Sequence, residues 1–172
     1  MASRKKKPKK QSDTNIAKRL EDLVFFIDRS LGEKTVPNEL IAFGLNIEHH
    51  SAHFAQDAPD VEWLEVCGEN TWIVLAKDKN ITKNLLERQV LLNSGVVAFF
   101  LTSGKYTGEE MAQALIKSLK RIANLIQSQK KPFIARINLA GKVELWIDHK
   151  GNDHLPKKKS HKEKQPKQNH HE

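Results

Sequence analysis

The sequence predicts an α/β protein: a three-layer α/β/α sandwich around a mostly parallel central sheet, with a carboxyl-terminal β-hairpin and basic tails. Three observations carry this. Apolar runs of strand length at 23–27, 45–48, 72–76 and 96–101 alternate with segments of helical spacing, the pattern of strands joined by helices. Two further strand-like runs, 132–139 and 142–147, flank Ala140-Gly141 as a hairpin would. Between them and the fourth run, Met111, Leu115, Leu119, Ile122 and Ile126 form the amphipathic stripe of one long helix.

In chain order, Asn15 to Asp22 makes a short helical turn before the first strand, Leu23-Val24-Phe25-Phe26-Ile27, which ends at Asp28. Gly32 breaks the pattern; Val36, Leu40, Ile41 and Phe43 then share a helix face that Gly44 stops. Leu45 to Glu48 alternates as a short second strand and leads to a loop holding His49, His50 and His53. Asp57 reads as the N-cap of a second helix with Pro59 in its first turn and Asp60 three residues on, running to about Gly68. Trp72 to Ala76 is the third strand, leading to Lys77-Asp78-Lys79. A helix over 84–93 precedes Gly95, and the fourth strand, Val96 to Leu101, ends in Thr102-Ser103-Gly104. Thr107 and Glu110 have capping-box spacing at the start of the long helix.

A chain of 172 residues fits one domain with tails. We divide it into a basic arm over 1–14, a domain over 15–148 and a Lys/His-rich tail over 149–172. The net charge is +8, yet residues 1–12 hold +6 and residues 149–172 hold +4, so the domain between them is mildly acidic. Tails so poor in apolar residues are expected to be disordered; such arms attract phosphate backbones without reading sequence, or serve solubility alone. No apolar stretch approaches the roughly 20 residues of a transmembrane helix, and no apolar segment follows the basic amino terminus as in a secretory signal. The expected location is the cytoplasm. Cys67 is the single cysteine, which excludes an internal disulfide and argues against cysteine-based zinc.

The chemistry lies in carboxylates. A buried strand in an α/β sheet delivers the residue at its carboxyl end to the crevice where ligands bind, so Asp28 and Asp78 would converge there. Asp57, Asp60 and Glu62 form a third acidic cluster that would complete a pocket for Mg²⁺ or Mn²⁺. Asp28 and Asp78 are assigned as metal ligands and Asp60 as ligand or water orienter. Arg29, Lys77 and Lys79 beside them suit phosphate or RNA contacts, and Thr102 and Ser103 are site-lining candidates. Each has a plainer reading: strand-end aspartates start turns, Asp57 and Asp60 cap a helix, Glu62 is a surface residue, and the hydroxyls before Gly104 belong to a turn. His49, His50 and His53 lack a partner pair at zinc spacing. Trp63, Trp72 and Cys67 read as core.

The order of these motifs resembles the PIN-like domain family. It is carried by Phe25-Phe26-Ile27-Asp28-Arg29-Ser30-Leu31-Gly32, His53-Phe54 ahead of Asp57-Ala58-Pro59-Asp60-Val61-Glu62-Trp63-Leu64, Val74-Leu75-Ala76-Lys77-Asp78-Lys79, and Phe100 to Gly104 with Gly108-Glu109-Glu110-Met111, together spanning roughly 24–137. The resemblance implies a compact sheet with acids at its carboxyl edge, one or two Mg²⁺ or Mn²⁺ ions, and hydrolysis of RNA phosphodiesters. Many relatives are ribonuclease toxins held by an antitoxin protein. By position Asp28 matches the first-strand acid, Asp78 the acid after the third strand, and Asp60, or else Glu62 or Asp57, the acid at the start of the intervening helix. PIN nucleases usually carry a further late acid, where this chain has Thr102-Ser103-Gly104. The expected function is therefore a metal-dependent endoribonuclease, the rival being a weak or inactive PIN-like module that binds RNA or protein. A phosphotransfer receiver would need an acidic pair at the first strand, and a haloacid-dehalogenase phosphatase a second aspartate where Ser30 stands.

Overall fold

The computed structural model describes residues 11–77, 85–102 and 104–155. Six strands form one sheet: β1 (Val24–Ile27), β2 (Asn46–His49), β3 (Ile73–Lys77), β4 (Val97–Leu101), β5 (Phe133–Ile137) and β6 (Val143–Ile147), in the order β2-β1-β3-β4-β5-β6. The first five are parallel and β6 returns antiparallel to β5. The expected sandwich, with its mostly parallel sheet and terminal hairpin, is the fold observed.

The helices are α1 (Gln11–Leu20), α2 (Thr35–Phe43), α3 (His50–His53), α4 (Asp60–Glu69), α5 (Leu85–Asn93) and α6 (Gly108–Ser128). Because strand side chains alternate, each central strand feeds two cores. Phe25, Ile27, Ile73, Leu75, Val97, Phe99, Leu101, Phe133 and Ala135 pack under α1, α2 and α6, whereas Phe26, Val74, Ala76, Ala98, Phe100 and Ile134 pack under α4 and α5. Burial on both faces is why these strands read as unbroken apolar runs. Each fully buried Leu, Ile or Phe contributes on the order of 2 kcal/mol.

The helix boundaries follow local chemistry. Thr107 Oγ1 accepts from Glu110 N (3.2 Å) and Glu110 Oε2 accepts from Thr107 N (2.8 Å), completing the expected capping box of α6. Gly44 ends α2 in the left-handed region (φ 113°), which a side chain would resist. Three expectations need adjustment. The first helix starts at Gln11 and ends at Leu20, earlier than the turn expected over Asn15–Asp22. His50–His53, expected as loop, form a short helix, because His50 is buried against Phe26, Phe54 and Trp63. Asp57 does not cap α4: Pro59 is the N-cap residue, extended at ψ 144°, and Asp57 lies in the exposed turn before it.

Strand order reverses at β1, whose neighbours are β2 on one side and β3 on the other. That switch point opens a crevice beyond the carboxyl ends of β1 and β3, and Asp28 is the first residue past β1. Among the described residues no helix is long and apolar enough to cross a membrane.

Candidate active site at the carboxyl edge of the sheet

Asp28 continues the β1 ladder, its backbone N donating to Leu75 O at 3.0 Å. Its side chain therefore falls on the face that Phe26 uses, toward α4. The carboxylate is only 5% exposed. Oδ2 accepts from Ser30 N at 3.1 Å and from the Ser30 hydroxyl, which makes Asp28 the N-cap of a 3-10 turn over Arg29–Leu31. The Ser30 hydroxyl oxygen also accepts from Lys77 N at 2.9 Å. One serine thus ties the end of β1 to the end of β3, immediately before Asp78.

Asp60 reaches the same place from the first turn of α4. Its Oδ1 accepts from Trp63 Nε1 at 3.0 Å, one helical turn on. Trp63 is itself fixed, 5% exposed and stacked on Phe26 at 5.4 Å, while Trp72 lies near-parallel to the same phenyl ring at 5.8 Å. The aromatic packing that builds this core therefore also orients a carboxylate.

Asp28, Asp60, Lys77 and Glu87 line one cavity of about 280 Å³, floored by Ala76 and Phe100 and walled by Trp63, Leu64 and Leu91. Among the described residues the charged side chains lining it are these three acids and one lysine. Lys77 also lies over the Tyr106 ring at 5.4 Å. Oxygen donors of this kind suit a hard divalent ion, so the donor chemistry fits Mg²⁺ or Mn²⁺. Among the described residues no three acidic, histidine or cysteine side chains stand close enough to hold one.

The other candidates divide. Asp78, Lys79 and Ser103 lie outside the described residues. Arg29 points away from the cavity and lines a separate hollow with Glu33, His50 and Phe54. Asp57 and Glu62 are exposed and do not line the cavity, and Thr102 donates its backbone N to Ile137 O at 2.8 Å in line with the sheet. His53 pairs with Glu48 at 2.7 Å and packs on Trp72, apart from the acids. Three contributors escaped the sequence reading: Glu87, Ser30 and the Trp63 indole. The Asp28-x-Ser30 spacing of a capping turn and the i, i+3 spacing of Asp60 and Trp63 were signals for two of them. Glu87 carried none, since which face of α5 meets the sheet is a tertiary matter.

A family model described as a PIN like domain matches residues 23–103, which include Asp28, Asp60 and Asp78. A protein of Mycobacterium tuberculosis (strain ATCC 25618 / H37Rv) bearing the name "Putative ribonuclease VapC45" is 34% identical over 117 residues, covering 66% of this chain and 83% of the relative. No solved structure matches the chain.

Proposed function

The chain belongs to the PIN-like domain family, and from that premise we propose that it is a metal-dependent endoribonuclease, the toxin of a toxin–antitoxin pair, acting on RNA in the cytoplasm. The observation that carries this reading is the meeting of Asp28 and Asp60 in one cavity at the switch point, with Asp78 next in sequence to the lining residue Lys77. The resemblance to a relative named as a ribonuclease supports RNA as substrate.

Asp28, Asp60 and Asp78 would hold Mg²⁺ or Mn²⁺, with Glu87 placed to join them. Such an ion lowers the pKa of a bound water and stabilises charge on phosphate oxygens. The protein's own residues do the positioning. Ser30 fixes the Asp28 carboxylate and the start of the segment carrying Asp78. Trp63 occupies one oxygen of Asp60 and leaves the other for ligand or water. Lys77 and Lys79 would neutralise phosphate charge, Lys77 from the cavity wall. The partner protein would be an antitoxin that occludes this cavity.

Cleavage of labelled single-stranded and structured RNA with Mg²⁺, Mn²⁺ or EDTA tests the reading, comparing the intact protein with Asp28→Asn and Asp78→Asn. Cutting that requires metal and falls by at least about 100-fold in both variants is expected. Salt-sensitive RNA binding with no cutting under any condition would instead establish the inactive binding module.

A further inference from the structure

Two hollows open at the carboxyl edge of the sheet, one on each side of the end of β1. The acidic cavity, with Asp28, Asp60 and Lys77, lies toward β3. The second, of about 340 Å³, is lined by Arg29, Glu33, His50, Ser51, Phe54 and Gln56. It lies toward β2, whose last residue is followed at once by His50 and Ser51.

Both hollows are made from the same two segments. Asp28 and Arg29 are consecutive, with Cα atoms about 3.8 Å apart, and the turn that Asp28 caps sends one side chain to each hollow. Gln56 and Asp60 are joined by Asp57-Ala58-Pro59, so their backbones lie no more than about 14 Å apart. A strand of RNA with one phosphate at the acids therefore brings its adjoining nucleotide to the second hollow.

This hollow is open to water: Glu33, Ser51 and Gln56 are exposed, and Arg29 and Phe54 are half-buried. Among the described residues no ion pair or side-chain hydrogen bond ties Arg29 or Glu33. Phe54 is held edge-on to Phe26 at 6.1 Å, which fixes its ring in the wall. A guanidinium donor, a carboxylate acceptor, an amide that is both and an aromatic ring are the groups that recognise an unstacked base by its edges and its face. A phosphate would be met by Arg29 and repelled by Glu33. Guanine answers both charges, because O6 and N7 accept from an arginine while its N2 amino group donates to a carboxylate. Adenine and cytosine place an amino donor where guanine has O6, against the guanidinium.

We propose that the hollow between Arg29, Glu33 and Phe54 is a base-binding subsite that takes a guanine flanking the scissile phosphate of single-stranded RNA. Arg29 donates to O6 and N7, Glu33 accepts from N2, and Phe54 lies against the base. The subsite rests on the ribonuclease reading and adds to it the sequence preference of the site.

The test measures anisotropy of labelled oligouridines carrying one internal guanosine or one internal adenosine. It uses the full chain in EDTA with Asp60→Asn as parent, so that cleavage does not intrude and the turn capped by Asp28 stays intact. The parent is expected to hold the guanosine oligomer about tenfold more tightly, the discrimination of one good bidentate contact. Arg29→Gln should erase that preference and leave the adenosine oligomer within about twofold of the parent. Glu33→Ala, at an exposed position, should also reduce the preference, and it carries the test should Arg29→Gln fail to fold. Equal weakening of both oligomers by Arg29→Gln with a salt slope lower by about 1, or tighter binding of both in Glu33→Ala, makes the contact one to phosphate and overturns the subsite. A parent that holds both oligomers alike, or neither, overturns it too. Metal-dependent RNA cleavage by the wild type would then leave the ribonuclease reading standing, and absence of that cleavage overturns the two together.

Discussion

Ser30 Oγ accepts a hydrogen bond from the backbone N of Lys77, a residue 47 positions away, at 2.9 Å, while its hydroxyl donates to Asp28. The two strand ends on either side of the switch point are thereby fixed relative to each other by one small side chain. Ser30→Ala is expected to cost about 1–2 kcal/mol in urea unfolding and to lower RNA cleavage by about 10- to 100-fold, as loss of a carboxylate's support does elsewhere. Ser30→Thr keeps the hydroxyl and should recover most of the rate.

Trp63 serves two ends at once, its ring on Phe26 and its indole N–H on Asp60. Trp63→Phe keeps an aromatic ring beside Phe26 and removes the indole N–H together with part of the buried ring system. Stability should fall by about 1 kcal/mol, while the Mg²⁺ concentration for half-maximal cleavage rises. A variant that unfolds less readily than wild type and needs no more metal would separate the indole from Asp60.

Helix α4 approaches the end of α5 through Gly68, where a Cβ would lie 1.8 Å from the carbonyl oxygen of Ser94. A backbone atom cannot swing aside, so Gly68→Ala must push α4 off its seat. A loss of about 1–3 kcal/mol in chemical denaturation is expected. Because α4 carries Asp60 and Trp63, cleavage should fall with it.

Burial pushes the Cys67 thiol up to about 12 from an ordinary value of 9.0. In the folded protein it should resist alkylation at pH 8 and react once denatured. The folded-state pKa lies above the unfolded one, so the thiol's contribution is whole below pH 9 and is lost as pH rises from there toward about 12. Relative to Cys67→Ala, unfolding free energy should decline over that window by up to about 1.4 kcal/mol per pH unit.

Composition and periodicity alone determined the layered α/β class, six strands, the Gly44 stop, the Thr107 capping box and the final hairpin. Strands buried on both faces must be apolar throughout, and helix ends must satisfy orphan backbone groups with local side chains, so both leave marks within a few residues. Asp28 was legible as a carboxylate at the sheet's carboxyl edge because it follows such a strand at once. Asp60 was legible as an acid opening α4, with Glu62 and Asp57 behind it as alternatives; Pro59 proved to be the N-cap residue in place of Asp57. Only the tertiary structure decided which acids share a cavity: it placed Glu87 beside Asp28 and Asp60, and turned Arg29 to another hollow with Glu33 and Gln56. Those relations depend on strand order and register across chain separations of tens of residues. Side-chain alternation within one strand records which face a residue takes, but carries no record of the strand that will lie beside it.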